Sequence, residues 1–173
     1  MLRVLFIFES MRSVEIRPIR QEDNAALAKI IRTVLTEFNA AKPGTVFYDP
    51  TTDDLFHLFR TPGSAYWVLE IDGAIVGGAG IYPTPGLPTG CCELVKLYLL
   101  KEARGKGYGK QLIMQCFDSA MKYGYEQVYL ETMPELSMAV GLYEQCGFQY
   151  LNGPLGKSGH FGCDLWMLKR LEI

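Results

Sequence analysis

A chain of 173 residues, 49% apolar and 21% charged, has room for one domain with a real core and too much apolar surface to stay disordered. A formal net charge of −2 gives no reason to expect nucleic acid, although a local basic patch can still hold a small polyanion. No apolar run reaches membrane-spanning length, and five cysteines, odd in number and without metal-ligand spacing, read as buried thiols of a cytoplasmic protein with no metal site.

The apolar stretch Val4 to Phe8 is only about five residues long, short of the roughly 7–15 of a signal sequence. Met11 looks like a second natural beginning, so residues 1–13 are read as an extension and 14–173 as a single domain. Val14 to Ile19 alternates apolar and charged residues, which predicts a half-buried strand, with Pro18 placing it at an edge or an end. Leu27, Ile30, Ile31, Val34, Leu35 and Phe38 recur at helical spacing and predict a helix over 23–38. Residues 40–50, with Pro43-Gly44 and Asp49-Pro50, read as a loop. Its Phe47 and Tyr48 have two readings, folding back onto the core or lining a substrate pocket, and both are carried as substrate-binding candidates. A short helix follows at Leu55 to Phe59.

Tyr66 to Ile71 and Ala74 to Ile81 read as strands joined by Asp72-Gly73, a two-residue hairpin signal because both turn positions need positive φ. Gly77, Gly78 and Gly80 suggest a bulge or close packing in the second strand. Leu94 to Leu100 predicts a strand, and residues 107–123 a helix with its apolar stripe at Leu112, Ile113, Cys116, Phe117, Ala120 and Met121. Gln127 to Glu131 is a strand, and Pro134 opens a second major helix that ends at Gly147. Phe148 to Leu151 and Cys163 to Leu168 are the last strands, around a glycine-rich loop that carries His160. The order predicts one α/β unit with a mixed sheet.

The most informative segment is Glu93 to Lys110, where a strand runs into a turn with three glycines and opens a helix. Free amides and the positive helix end converge on such a turn and suit a phosphate. A dinucleotide fingerprint fails, because Lys110 stands where its last glycine belongs. A Walker A loop fails too, because three residues rather than four separate Gly105 from Gly109 and Gln111 replaces the metal-binding hydroxyl. The remaining pattern is R-x-x-G-x-G at Arg104, Gly107 and Gly109.

With Leu97-Tyr98-Leu99 upstream and Leu142-Tyr143-x-x-x-Gly147-Phe148 downstream, this pattern resembles the Gcn5-related N-acetyltransferase (GNAT) superfamily from about Val14 to Leu171. Glu-Leu-x-Lys-x-Tyr at residues 93–98 and Gly-Pro-Leu-Gly-x-x-Gly-His at 153–160 resemble a bacterial-type subgroup. The resemblance implies a three-layer α/β (or α+β) fold, with a mixed, mostly antiparallel twisted sheet flanked by helices. It implies acetyl-CoA as cosubstrate and a small-molecule or peptide amine as acceptor, without nucleic acid or membrane; homodimers are common in the family.

The resemblance also assigns roles. Leu97, Tyr98 and Leu99 would hold the pantetheine arm and supply the oxyanion amide, and Arg104, Gly105, Lys106, Gly107, Tyr108, Gly109 and Lys110 the pyrophosphate. Tyr143 would be the general acid. Leu136 stands where many relatives have a pantetheine-binding asparagine, so that contact does not carry over. For the general base, Glu93 shares strand parity with Val95, Leu97 and Leu99 and should face the cofactor side unless a bulge intervenes. His160 is the rival, and a water relay serves either. A non-catalytic acyl-CoA sensor is the alternative to an enzyme.

Overall fold

The computed structural model describes residues 12–172, so the expected extension at 1–13 falls almost wholly outside the described residues. Seven strands form one sheet: β1 (Val14–Pro18), β2 (Ala65–Ile71), β3 (Ala74–Tyr82), β4 (Cys91–Leu99), β5 (Gln127–Thr132), β6 (Gln149–Leu151) and β7 (Leu165–Arg170). Their spatial order is β1-β2-β3-β4-β5-β7-β6. Every pairing is antiparallel except β4 with β5. The mixed sheet expected from the sequence is therefore present, with β1 at one edge and Pro18 at its end, where a missing N–H costs least.

Four helices cover the two faces: α1 (Asn24–Glu37), α2 (Leu55–Leu58), α3 (Tyr108–Lys122) and α4 (Ser137–Gln145). One face carries α1 and α2, whose Leu27, Ile31, Leu35 and Leu55 pack on Tyr66 and Val68 of β2. The other carries α3, whose Leu112, Ile113, Cys116 and Ala120 are fully buried against Leu69, Ala79, Cys92 and Val128. Each such aliphatic side chain stabilises the fold by roughly 1.5–3 kcal/mol relative to exposure. Met121, placed in that stripe by its spacing, turns outward and is exposed. Pro134 opens a single 3-10 turn, Pro134–Leu136, and the regular α4 starts only at Ser137.

The Asp72-Gly73 hairpin has φ of 52° and 77°, as its turn type requires. The glycines of β3 are explained by packing. A Cβ on Gly80 would sit 2.6 Å from the Ala65 carbonyl and 2.7 Å from the Phe59 and Tyr66 rings. Arg17 of β1 lies buried between Asp23, at 2.7 and 2.8 Å, and Glu70. Asp23 thus anchors the entry of α1 to the sheet.

Candidate active site

The site starts where β4 and β5 separate. They pair only through Cys91–Glu93 and Gln127–Tyr129. On its other side β4 stays on β3, with a register shift between Gly78 and Gly80. Opposite that shift Lys96 adopts φ 52°, a left-handed conformation costly for a residue with a Cβ. The Tyr66 hydroxyl holds this bulge by donating to the Lys96 carbonyl at 3.0 Å.

The bulge overturns the simple parity expectation for Glu93. Upstream of it Cys92 and Leu94 face the α3 layer; downstream, Leu97 and Leu99 do. Val95 and Tyr98 face the α1 layer instead. Glu93 therefore shares a side with Val95 but not with Leu97 or Leu99, because one extra residue inverts the alternation. The Leu100 N–H donates to Val76 of β3 at 2.8 Å, so the Leu99 N–H points the other way, to the edge that β5 has left. Leu97, two residues earlier, presents its amide to the same open edge. A main-chain rail of this kind is what an extended amide-bearing arm needs.

Beyond the rail the turn keeps its expected form. Gly105 and Gly107 have φ of 71° and 83°, and Gly107 is the N-cap of α3. A Cβ at either would meet nothing within 4 Å, so their backbones face open space at a helix N-terminus. Gly109 differs, since a Cβ there would lie 2.8 Å from Leu142 of α4. The rail, the turn and the start of α4 enclose a groove of about 410 Å³, which Lys110 also lines. Its shape and its exposed amides fit a pantetheine arm ending in a pyrophosphate.

Two of the side chains assigned to that cradle have partners of their own, although Arg104 also lines the groove. Arg104 donates from Nε to the Leu99 carbonyl at 2.8 Å, forms a two-pronged pair with Glu37 at 2.9 and 2.7 Å, and lies 4.9 Å over the Phe38 ring. Its charge is neutralised at the end of α1, so it braces the rail. Tyr108 packs into the α3-side core. Lys106 is exposed and donates to the Glu102 carbonyl at 2.7 Å.

On the other side of β4 lies a second cavity of about 420 Å³, lined by Tyr48, Asp49, Tyr82, Thr84, Glu93, Lys96 and His160 among others. A small void of about 50 Å³ lies between the two: it shares Leu97, Tyr98 and Leu136 with the groove, and Glu93, Lys96 and His160 with the pocket. Tyr143 borders this junction, as do Cys163 and Thr132. Thr132 is buried, and its hydroxyl has no hydrogen-bond partner among the described residues. Of the two loop aromatics, Tyr48 lines the pocket at 61% exposure. Phe47 packs toward the α1-side core instead, with its ring in edge contact with Tyr48.

Burial sets the protonation states. Desolvation pushes the Glu93 carboxyl up to about 7 and Glu131 raises it further, while a hydrogen bond from Thr84 and the charges of His160 and Lys96 oppose the rise. Desolvation also raises the Tyr143 phenol, with nearby Cys163 and Cys146 adding to it. The Cys163 thiol is pushed up to about 12 by burial and by Glu131 and Glu93, so the junction offers no thiolate. Burial acts on Asp49 as well, but His160, Lys96 and Thr51 outweigh it and hold the carboxyl well below its usual range. His160 Nε2 lies 3.3 Å from Asp49 Oδ2, and its main-chain N–H donates to Ser158 at 3.0 Å.

The glycine turn, the open rail, the parting of β4 from β5 and the buried carboxyl at the junction agree with what the comparisons give. The profile described as the Acetyltransferase (GNAT) family matches residues 31–148. The chain belongs to this family. Over 161 residues it is 40% identical to an uncharacterized N-acetyltransferase, YjgM, of Escherichia coli K12, covering 92% of this chain and 96% of that one. Solved structures agree in fold. A GNAT acetyltransferase of Staphylococcus aureus superposes with a TM-score of 0.81 at 19% identity, covering 92% of this chain and all of the other. YncA of Salmonella typhimurium, a putative acetyltransferase solved with acetyl-CoA, gives 0.70 at 20% identity, covering 93% and 95%. The protein is thus an N-acetyltransferase, and its reaction class is acetyl transfer from acetyl-CoA.

Sequence reasoning missed four residues of the site. Asp49 was hidden in an Asp-Pro loop signal, and Thr84 and Thr132 carry no periodic signal at all. Lys96 stood inside the Glu-Leu-x-Lys-x-Tyr segment, but nothing in spacing alone turns a strand lysine inward.

Proposed function

We propose that this protein acetylates a primary amine by direct attack of the amine on the thioester of acetyl-CoA, with Glu93 as general base and Tyr143 as general acid. The observation that carries this reading is the position of Glu93: a buried carboxyl, shared by the acceptor cavity and the junction, that titrates near neutrality. An ammonium near pKa 10 has no lone pair, so the acceptor must first lose a proton, and a base near 7 accepts one at physiological pH without being permanently protonated.

Bound acetyl-CoA supplies an electrophilic carbonyl and an anionic pyrophosphate; the rest is the work of the chain. The amides of residues 105–110 and the helix end hold the pyrophosphate, and the Leu97 and Leu99 main chain holds the arm. A rail amide, already unpaired, stabilises charge developing on the carbonyl oxygen. Glu93 takes the amine proton, directly or through a water. The free amine nitrogen bonds to the thioester carbon as the carbon–sulfur bond breaks. Tyr143, kept protonated by burial, gives its proton to the sulfur, and the second proton shed by the new amide nitrogen returns the Tyr143 phenolate to its neutral form, so that one proton leaves through Glu93 per turnover. His160 remains the rival base, with its Nε2 3.3 Å from Asp49 Oδ2. The acceptor cavity, wide enough for a small molecule and open past Tyr48, suits a small amine or the end of a peptide. Action in the cytoplasm fits the family and the protonated thiols.

The test joins thermal stabilisation by acetyl-CoA to thiol release with amino acids, aryl amines, polyamines and short peptides. Acetyl-CoA at millimolar concentration raises Tm, and at least one amine accelerates thiol release. A Tm shift with no amine-dependent release by the wild-type protein would count against turnover in this site.

A further inference from the structure

Lys96 is the least expected residue of the site. Its side chain is 4% exposed, its backbone is left-handed, and it lines both the acceptor cavity and the junction. Asparagine or glycine would accept φ 52° more cheaply, so the lysine side chain must contribute something there that offsets the backbone cost. Its Nζ donates to Asp49 Oδ2 at 3.0 Å and faces Thr52 Oγ1 at 3.4 Å. Asp49 and Thr52 belong to the turn of residues 46–53, and the same Asp49 oxygen meets His160 from the glycine-rich loop. That loop is held from behind, where Ser158 donates to Glu131 of β5 at 2.6 Å.

We propose that Lys96 is a positioning residue: its buried ammonium, by holding Asp49, locks the 46–53 turn and the glycine-rich loop into one wall of the acceptor cavity and fixes that wall to the bulge of β4. This rests on the reading of the site as an acetyl-CoA-dependent transferase. The backbone and the side chain of Lys96 then do separable work. The backbone makes the bulge that turns Leu97 and Leu99 to the groove, and the ammonium anchors the opposite cavity.

The anchor also bears on the base. The groups that face Lys96 are Asp49 from the turn, Glu93 on its own strand, Arg32 from α1 and His160 from the loop. Arg32 is already paired with Asp53 at 2.6 and 2.9 Å. Burial pulls the Lys96 ammonium below its ordinary value and Asp49 works against that fall. Glu93 is faced by Thr84, Glu131, His160 and Lys96, and the charge that Asp49 helps Lys96 to keep favours the ionised carboxylate.

Two substitutions separate the roles. Lys96→Gly keeps the left-handed backbone and loses the ammonium; Lys96→Met loses the ammonium and keeps the backbone cost. Acetyl-CoA affinity is measured by calorimetry, and the Glu93 titration by carbon NMR of glutamate-labelled protein, with Glu93→Gln assigning the signal. In Lys96→Gly, acetyl-CoA binds within about 3-fold of wild type. In Lys96→Met it weakens about 10-fold, because the bulge keeps its cost and loses its anchor. In both, the Glu93 titration moves upward. If Lys96→Met does not fold, Lys96→Gly and Asp49→Asn carry the test: the first must raise the Glu93 titration, and the second must accelerate hydrogen exchange in 46–53 and 156–162 together. An unmoved Glu93 titration, equal loss of acetyl-CoA binding in the glycine and methionine variants, or independent exchange of the two loops overturns the proposal. Absence of acetyl-CoA binding in the wild-type protein overturns the functional reading itself.

Discussion

The two cavities on either side of β4 are of nearly equal volume and are built from different materials. The groove proposed for the cofactor is a main-chain structure: the amides of Leu97 and Leu99 on the edge that β5 has left, and a turn in which Gly105 and Gly107 open the helix end to space. The acceptor cavity is a side-chain structure, in which Asp49, Thr84, Glu93, Lys96 and His160 arrive from a turn, a loop, β4 and the glycine-rich loop. A backbone site recognises a constant ligand and tolerates side-chain change. A side-chain site can be retuned for another acceptor without disturbing the first. Substitutions at the junction, in the groove and on its rim should therefore differ sharply in size and kind.

The largest effect belongs to Glu93→Gln. Removing a general base is worth about 10²–10⁴-fold in rate, and here the loss falls on kcat/KM at pH 7 with little change in acetyl-CoA affinity. In the wild-type protein the acidic limb of kcat/KM lies near pH 7, because the carboxylate is the active form. The stability effect has the opposite sign. The folded-state carboxyl titrates at about 7 against an ordinary 4.5, so its ionisation opposes folding: stability is full below about 4.5 and falls as pH rises through 7. The gap corresponds to an upper bound of about 3 kcal/mol. Glu93→Gln therefore melts higher than wild type at pH 8 and not at pH 4. A rate loss under 5-fold would move the base to another group.

Tyr143→Phe comes next. A thiolate with pKa about 8.5 leaves readily, so the acid is worth less than the base, about 10²-fold in kcat at most. The ring packs at 5.9 Å from Phe148 and stays in place without its hydroxyl, so acetyl-CoA binds as before. A variant with unchanged kcat would leave the proton to water.

In the groove the sensitive positions are backbone ones. Gly107→Ala puts a Cβ at φ 83° in otherwise open space, so its cost is purely conformational, about 1–2 kcal/mol. That strain is relieved only by moving the amides of the turn, which weakens acetyl-CoA binding about 10-fold. Calorimetry that finds unaltered affinity would show that the turn does not hold the ligand.

The same contrast explains what could be read in the chain beforehand. The helix stripes, the Asp72-Gly73 hairpin and the glycine turn are local patterns, each fixed by a backbone requirement within a few residues. Whether the bulge that decides the side of Glu93 would form could not be read locally, because it depends on Tyr66 and on the β3 glycines, which lie on other strands. That Arg104 also pairs with α1 could not be read beforehand, because its partner Glu37 is 67 residues away. Phe47 and Tyr48 are adjacent, yet one packs toward the core and the other faces the cavity, a choice made by the packing of α1 and not by their own sequence. Polar groups that meet only after folding, such as Lys96, Asp49 and His160, leave no spacing to recognise.

The smallest effect lies on the groove's rim and tests whether the backbone truly does the binding. Lys106 is exposed, with its ammonium on the Glu102 carbonyl, so it adds only a screened charge near the turn proposed for the pyrophosphate. An exposed charge at a helix end is worth about 0.3–1 kcal/mol, so Lys106→Ala weakens acetyl-CoA binding about 2- to 5-fold at low salt and less at 0.5 M. Arg104→Ala acts differently, because Arg104 braces the Leu99 carbonyl, and the loss it causes persists at high salt. If Lys106→Ala instead cost more than Gly107→Ala, the cradle would be a side-chain site after all, and the division between the two cavities would fall.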